Sequence, residues 1–400
     1  MLALLLTASL AGALGLFVAQ STVLDAEYVT DTMAEQGVYA ELEGAAEDAV
    51  MEQAQGSMVN VDVFPNADGL VNGAVQETVT TEYVEGEVRT NVENLYAYLH
   101  GETAPLQLVI DPSPLVDGIS GAIASQIENM PVADILQQPG LGDSFSGLGV
   151  NTTRVGDALE DEQTFTEMQA NMSQRADRLG ATTDELNQSV REQASLGEVP
   201  QDVEESVYRL QGTIVLGLTS DMSYETFTSK LEAGRSEFAT AIGAYAQQQV
   251  QSELDGKIDL TEQLGPDARE QIDRGADSVQ LVDTLTTLLP ILAFILLLGI
   301  LVVSHSISRT ARTLGVSLVT VGVLGLLAGL VGGNVATDAV ANALSGGEEF
   351  VRTTAVAMVD GLFATYTQQS ILFLLAGIAF VGLWFALRRY EPAQVPDDWR

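Results

Sequence analysis

The sequence predicts a mainly α integral membrane protein: four transmembrane helices plus a large, mostly helical extracytoplasmic domain with at most a short strand pair. Two observations carry that prediction. First, 55 acidic against 17 basic side chains give a net charge of −38, yet the mean hydropathy is +0.18, so charge and apolarity must occupy different stretches. They do: residues 21–280 hold 47 of the acids and 11 of the bases, net −36. Second, the rest of the chain contains four runs free of ionisable side chains, each long enough at about 1.5 Å per residue to cross an apolar core of about 30 Å.

Taken in order, residues 1–20 form the first span, carried by the run Leu2 to Ala19. It reads as an uncleaved signal anchor, because no basic n-region precedes it and the run exceeds a usual signal-peptide core. A cleaved signal is the competing reading, with Ala11-Gly12-Ala13 imitating a cleavage site. Residues 21–282 are the acidic domain, and the Gly-rich stretch from Pro139 through Gly149 is expected to split it into two lobes near 139–150. The second span occupies 283–304 and contains Pro290, a candidate kink. A loop at 305–313, a third span at 314–333, an external helical segment at 334–369, a fourth span at 370–387 and a tail at 388–400 complete the chain.

Orientation follows from the bases, which favour the cytoplasmic side of short loops. Arg309 and Arg312 fall in the link between spans two and three, and Arg388 and Arg389 follow span four. Both places are therefore expected in the cytoplasm, which puts 21–282 and 334–369 outside.

Within the acidic domain the dominant period is helical. Tyr224, Phe227, Leu231, Phe238, Ile242 and Tyr245 recur at three-, four- and seven-residue steps, with Asp221 or Ser223 as the cap. Phe165, Met168, Met172 and Leu179 make a second stripe, and Thr182-Thr183-Asp184-Glu185 reads as a capping box opening another helix. Similar spacing runs from Thr22 to Ala54 and from Val79 to Leu99. Stripes of this kind are core faces before they are cofactor sites. Leu106 to Ile110, stopped by Asp111-Pro112, reads as one short strand, and Thr213 to Leu218 as either a strand or a buried helix.

These motifs carry a resemblance. Leu24 with Tyr28, Gly37-Val38-Tyr39, the run Tyr96 to Glu102 leading into Leu106 to Asp111, and Lys257 to Leu260 before span two resemble an uncharacterised group of prokaryotic four-span proteins with a helical extracytoplasmic domain. The resemblance implies the architecture and no activity. The acid excess is similar in composition to that of haloarchaeal, halophilic proteins.

Composition also excludes chemistry. A region at net −36 repels nucleic acid and anionic headgroups. Zero cysteine removes disulfides, thiolate nucleophiles and thiolate metal sites together. Of the two histidines, His305 falls in the predicted cytoplasmic loop, so an external triad would have to use His100. His100 stands just before Gly101 at a predicted helix end, where a helix dipole favours it. No Gly-x-Ser-x-Gly elbow and no phosphate loop occur. Asp111, at a strand end, is the carboxylate to test first. Calcium would suit the acids but no EF-hand loop is present, so no metal or cofactor is assigned and the acids read as a solvated surface.

In the spans, Gly325, Gly329 and Gly333 repeat every fourth residue, as do Ala8 and Gly12. Such rows let helices approach closely, either inside one four-helix bundle or across a homo-oligomer face. The apolar spans carry no intramembrane charge, which disfavours a proton or ion pathway. Asn151, Asn171 and Asn187 begin glycosylation sequons in the predicted external region. Two functional expectations remain. One is a non-enzymatic surface protein that sits in the lipid bilayer and binds a protein or cell-envelope partner through its helical domain. The other is a sensor or accessory subunit that passes an external signal through span two.

Overall fold

The computed structural model describes residues 1–58, 67–136, 152–179, 182–193, 199–253, 258–304, 306–346 and 348–390. In chain order the helices are α1 (Leu2–Gln20), α2 (Ala26–Glu35), α3 (Val38–Met58), α4 (Ala67–Thr78), α5 (Thr81–Leu99), α6 (Ser113–Asn129) and α7 (Val132–Leu136). They continue with α8 (Thr152–Glu160), α9 (Glu162–Leu179), α10 (Thr183–Gln193), α11 (Gln201–Thr219), α12 (Tyr224–Glu253) and α13 (Leu260–Gln263). Last come α14 (Pro266–Ser304), α15 (Ile307–Ala343) and α16 (Glu349–Tyr390), and two short strands, β1 (Val109–Ile110) and β2 (Ile258–Asp259), pair as a sheet. The chain condenses into two compact units. Unit 1 comprises Met1–Leu42, Glu85–Ile110 and Asp259–Arg400; unit 2 comprises Glu43–Val84 and Asp111–Ile258. The Gly-rich stretch expected to divide the acidic domain lies outside the described residues.

Unit 1 holds the four helices long and apolar enough to cross a membrane, α1, α14, α15 and α16. At about 1.5 Å per residue the last three measure roughly 55 to 63 Å, about twice the apolar thickness of a bilayer. They therefore run on past their apolar windows. Residues 307–313, expected as a loop, are the opening turns of α15, because Ser306 caps the helix by accepting from Arg309 N at 3.5 Å. The expected separate segment at 334–369 is the end of α15, a turn at Leu344–Gly346 and the first half of α16. Helix α14 is continuous through Pro290.

Glycine decides how these helices meet. A Cβ built on Gly325 would collide with Ser370 Oγ, one on Gly329 with Thr367 Oγ1, and one on Gly333 would sit 3.3 Å from Phe363 Cβ. The same seam continues at Gly315 and Gly322 of α15, which face the α16 backbone near Val381 and Leu374, and at Gly377 of α16, which faces Val319. Helix α1 packs on the remaining faces. Leu6 meets Ala293 and Ile300 of α14, while Leu14 and Val18 meet Val321 of α15. Thr7 Oγ1 donates to Ser317 Oγ at 2.9 Å, a polar link between α1 and α15 beside these apolar contacts.

Beside these spans, Asp25 caps α2 by accepting from Tyr28 N at 3.0 Å, and Tyr39 donates to the Thr30 carbonyl at 3.0 Å. The strand expected over Leu106 to Ile110 contracts to Val109 and Ile110. Side chains take up the neighbouring peptides: Leu108 N donates to Thr261 Oγ1 at 2.8 Å, and the Asn91 amide of α5 brackets the Val109 peptide, donating to the carbonyl at 2.9 Å and accepting from the N–H at 2.7 Å. A side chain thus takes the place of a ladder partner.

Unit 2 is helical, and its stripes are its core. Phe165, Phe227 and Phe238 are fully buried, with the Phe165 and Phe227 rings stacked at 4.7 Å between centroids. Each such ring contributes about 1.5–3 kcal/mol by leaving water. Thr213 to Leu218 proves to be buried helix, since Val203, Val207, Leu210, Ile214 and Leu218 of α11 all point inward at helical spacing. Gly217 admits the Phe227 ring, which a Cβ there would overlap. Gln169 of α9 closes α11 by donating to the Gly217, Ser220 and Met222 carbonyls at 2.9, 2.6 and 3.0 Å. At α12 the cap is Ser223, which accepts from Thr226 N at 3.3 Å. The capping box also forms: Thr182 N donates to Glu185 at 2.8 Å, and Thr182 Oγ1 accepts from Glu185 N at 3.2 Å.

Candidate functional site

The polar residue best supported by its surroundings is His100, in unit 1. Helix α5 ends there because Gly101 takes φ +74°, which lets Gly101 N and Glu102 N reach the Tyr98 and Ala97 carbonyls at 2.9 and 2.8 Å. This is the doubly bonded left-handed stop that glycine permits. It turns the His100 ring toward the α1–α2 turn and α14. His100 Nδ1 lies 2.7 Å from Asp283 Oδ2, and Nε2 lies 3.0 Å from the Leu24 carbonyl.

Both partners are acceptors, since neither a carboxylate nor a carbonyl can donate. The arrangement therefore favours the imidazolium, with a proton on each ring nitrogen. Burial is the largest single influence on the ring and opposes its charge. The hydrogen bond to Asp283, the Leu24 carbonyl and the charges of Asp283 and Glu102 together outweigh it and raise the histidine pKa above 6.5. Asp283 is held from its other oxygen by Gln20 Nε2 at 3.3 Å. Tyr96, one turn back on α5, donates to the Val23 carbonyl at 2.8 Å. Burial, then the charge of Asp25, raises its own pKa.

The clamp therefore fastens α1, α5 and α14 at one point, on the last acid before the uncharged run of α14. Beside it lies an open cleft of about 340 Å³ walled by Asp25, Glu27, Glu93 and Glu102. Sequence reasoning found His100 and missed Asp283. The available signal was a lone acid at the margin of an apolar run, in a chain with one histidine left to pair with it.

The other sequence candidates are placed as follows. Asp111 belongs to unit 2, where its carboxylate accepts from Ser113 N at 3.0 Å at the start of α6, and its carbonyl accepts from Tyr83 Oη at 3.1 Å. Asn171 is exposed on α9 with its amide donating to the Glu167 carbonyl at 2.8 Å, and Asn187 is half-buried on α10. Asn151, His305 and Lys257 lie outside the described residues, as do residues 391–400 of the tail. Gly12 faces Leu289 of α14, whose Cδ1 would lie 3.0 Å from an added Cβ; Ala8 shares the small-residue row of α1 with it. Arg309 and Arg312 stand on the opening turns of α15 and Arg388 and Arg389 on the last turn of α16, all four exposed.

Unit 2 carries a cleft of about 460 Å³ between α11 and α12, bordered by Asp202, Glu205, Arg209, Glu237, Ala244 and Tyr245. Arg209 and Glu237 pair directly across it. Among the described residues no three His, Asp or Glu side chains converge as metal ligands. No family model, curated protein or solved structure matches the chain.

Proposed function

We propose that the protein sits in a lipid bilayer on its four apolar helices, exposes its acidic helical region outside the cytoplasm, and acts there by binding a protein or cell-envelope partner, not by turnover. The observation that carries this reading is the engagement of its two best chemical groups. His100 has both nitrogens committed to Asp283 and Leu24, and the Asp111 carboxylate is committed to the start of α6. A general base needs a free lone pair on its nitrogen, and an imidazolium has none. The cleft between α11 and α12 is the concave surface where binding would occur, with an aromatic side chain, Tyr245, and a polar rim around it. The positive-inside rule supports the orientation, because the four arginines share the α15 start and the α16 end. The resemblance to prokaryotic four-span proteins points the same way.

The sensor reading has one observation in its favour. Helix α14 is continuous from Pro266 to Ser304, and the clamp grips it at Asp283, so a ligand that displaced His100 would act on a span helix directly.

Complementation of a deletion strain tests the proposal. H100Q with D111N, each keeping one native hydrogen bond, should complement, whereas Ala244→Trp, which fills the α11–α12 cleft, should not. A folded H100Q/D111N protein that behaves like the deletion would give the role to chemistry at those groups.

A further inference from the structure

The four arginines do more than mark a side of the membrane. Arg312 of α15 and Arg388 of α16 both stack on the indole of Trp384, at 5.1 and 5.8 Å from the ring centroid. One aromatic ring thus gathers two like charges from two helices. Arg309 and Arg389 flank them one turn or one residue away. Among the described residues none of the four makes an ion pair. In sequence no Asp or Glu occurs between Asp283 and Asp338 or between Asp360 and Glu391, and the nearest acids, Glu391, Asp397 and Asp398, belong to the tail outside the described residues. In a chain of net charge −38, the described residues at the α15 start and the α16 end carry four arginines and no acid.

We propose that this end of α15 and α16 binds the phosphodiester headgroup of an anionic phospholipid, with Arg312 and Arg388 as its donors and Trp384 as the plate that fixes them. The proposal rests on the reading that these helices span a membrane. Guanidinium edges match phosphate oxygens two at a time. A lipid is favoured over a soluble anion because exposed apolar side chains lie on the same turns: Ile307, Val316, Leu383 and Phe385 are 70%, 52%, 46% and 59% exposed. A positive cluster over bare hydrocarbon suits an amphiphile of the opposite charge, with its headgroup at the arginines and its chains along the helix flank. Trp384 stands where an interfacial indole is expected.

The test uses the full chain carrying Trp399→Phe, so that Trp384 is the remaining indole. The protein is placed in phosphatidylcholine nanodiscs doped with brominated phosphatidylglycerol or, separately, brominated phosphatidylcholine, and quenching of Trp384 is followed against mole fraction. Each basic side chain near an anionic surface is worth roughly fivefold in affinity. The anionic lipid should therefore quench at a mole fraction at least about tenfold lower than the zwitterionic one, and R312Q with R388Q should remove the difference. Equal quenching by both lipids overturns the site while leaving the membrane reading intact. Quenching by neither overturns both. Loss of the preference when inorganic phosphate replaces chloride at matched ionic strength assigns the arginines to a soluble anion and overturns the lipid. A preference that appears only in a chain ending at Tyr390 overturns it as well, since Glu391, Asp397 and Asp398 would then be the occupants.

Discussion

Replacing His100 by glutamine separates its charge from its shape. Glutamine can still donate one hydrogen bond to Asp283 or to the Leu24 carbonyl, but it brings no charge and cannot hold both as the imidazolium does. Hydrogen bonds to charged groups are worth about 1.5–3 kcal/mol each. The two side chains are 20% and 27% exposed, so solvent screens part of that, and a loss of about 1–2 kcal/mol is expected where the histidine is charged. At roughly 2–4 °C per kcal/mol, that is a drop of a few degrees in apparent melting temperature. The pH dependence fixes the cause. His100 has a folded-state pKa above its unfolded value of about 6.5, so the clamp's contribution is complete below that unfolded value. It disappears as pH rises through the folded one. The assay is thermal unfolding of the detergent-solubilised full chain in a His305→Gln background, comparing that chain with the same chain carrying H100Q from about pH 5 to about pH 9. The difference should be largest at the acid end and shrink toward alkaline pH, and Asp283→Asn should flatten it. A difference that stays constant across the range would refute the imidazolium and leave a neutral, merely packed histidine.

Two further outcomes are expected. Cysteines introduced at Ile307 and Ser345, both exposed, should differ in labelling by an impermeant thiol reagent in intact cells, with the Ser345 position reacting and the Ile307 position not. Ser308 would be a poor reporter because it is buried, and equal labelling of the chosen pair would remove the four-span orientation. Gly329→Val should overpack the α15–α16 seam at Thr367 and cost about 1–3 kcal/mol, while Gly299→Val, with nothing within 4 Å of an added Cβ, should melt near the native temperature; equal losses would show that the seam is not close-packed.

How much of this was legible in the sequence depends on the range of the interaction concerned. The apolar runs, the Phe165 and Tyr224 stripes and the Thr182 capping box were readable, because each is decided within a few turns by periodicity or by a side chain reaching its own backbone. The length of the helices that carry the apolar runs was not readable. Hydropathy reports where a helix meets hydrocarbon, whereas α15 and α16 stop only where their caps and turns lie. The strand at Leu106 comes out shorter for a different reason, since nothing local announces that the Leu108 N–H will go to Thr261, 153 residues away. Thr213 to Leu218 was ambiguous because a short apolar run fits a buried strand and a buried helix equally well, and only the inward face of α11 decides between them.

The candidate site shows the same limit from the side of chemistry. His100 stands out in the sequence for its scarcity and for preceding Gly101, and the glycine does end the helix there. Beyond the helix-end position that the sequence shows, the ring meets a carboxylate 183 positions away, at the margin of an apolar run. The consequence reaches function. A histidine whose two nitrogens face a carboxylate and a carbonyl is poorly suited to take a proton from a substrate, but well suited to tie a helix end to a span. The cluster on Trp384 extends the argument to the opposite end of the spans. There the sequence supplied the arginines and an expectation of their side, while the indole shared by Arg312 and Arg388 comes into place only once Gly315 and Gly377 have brought α15 and α16 together.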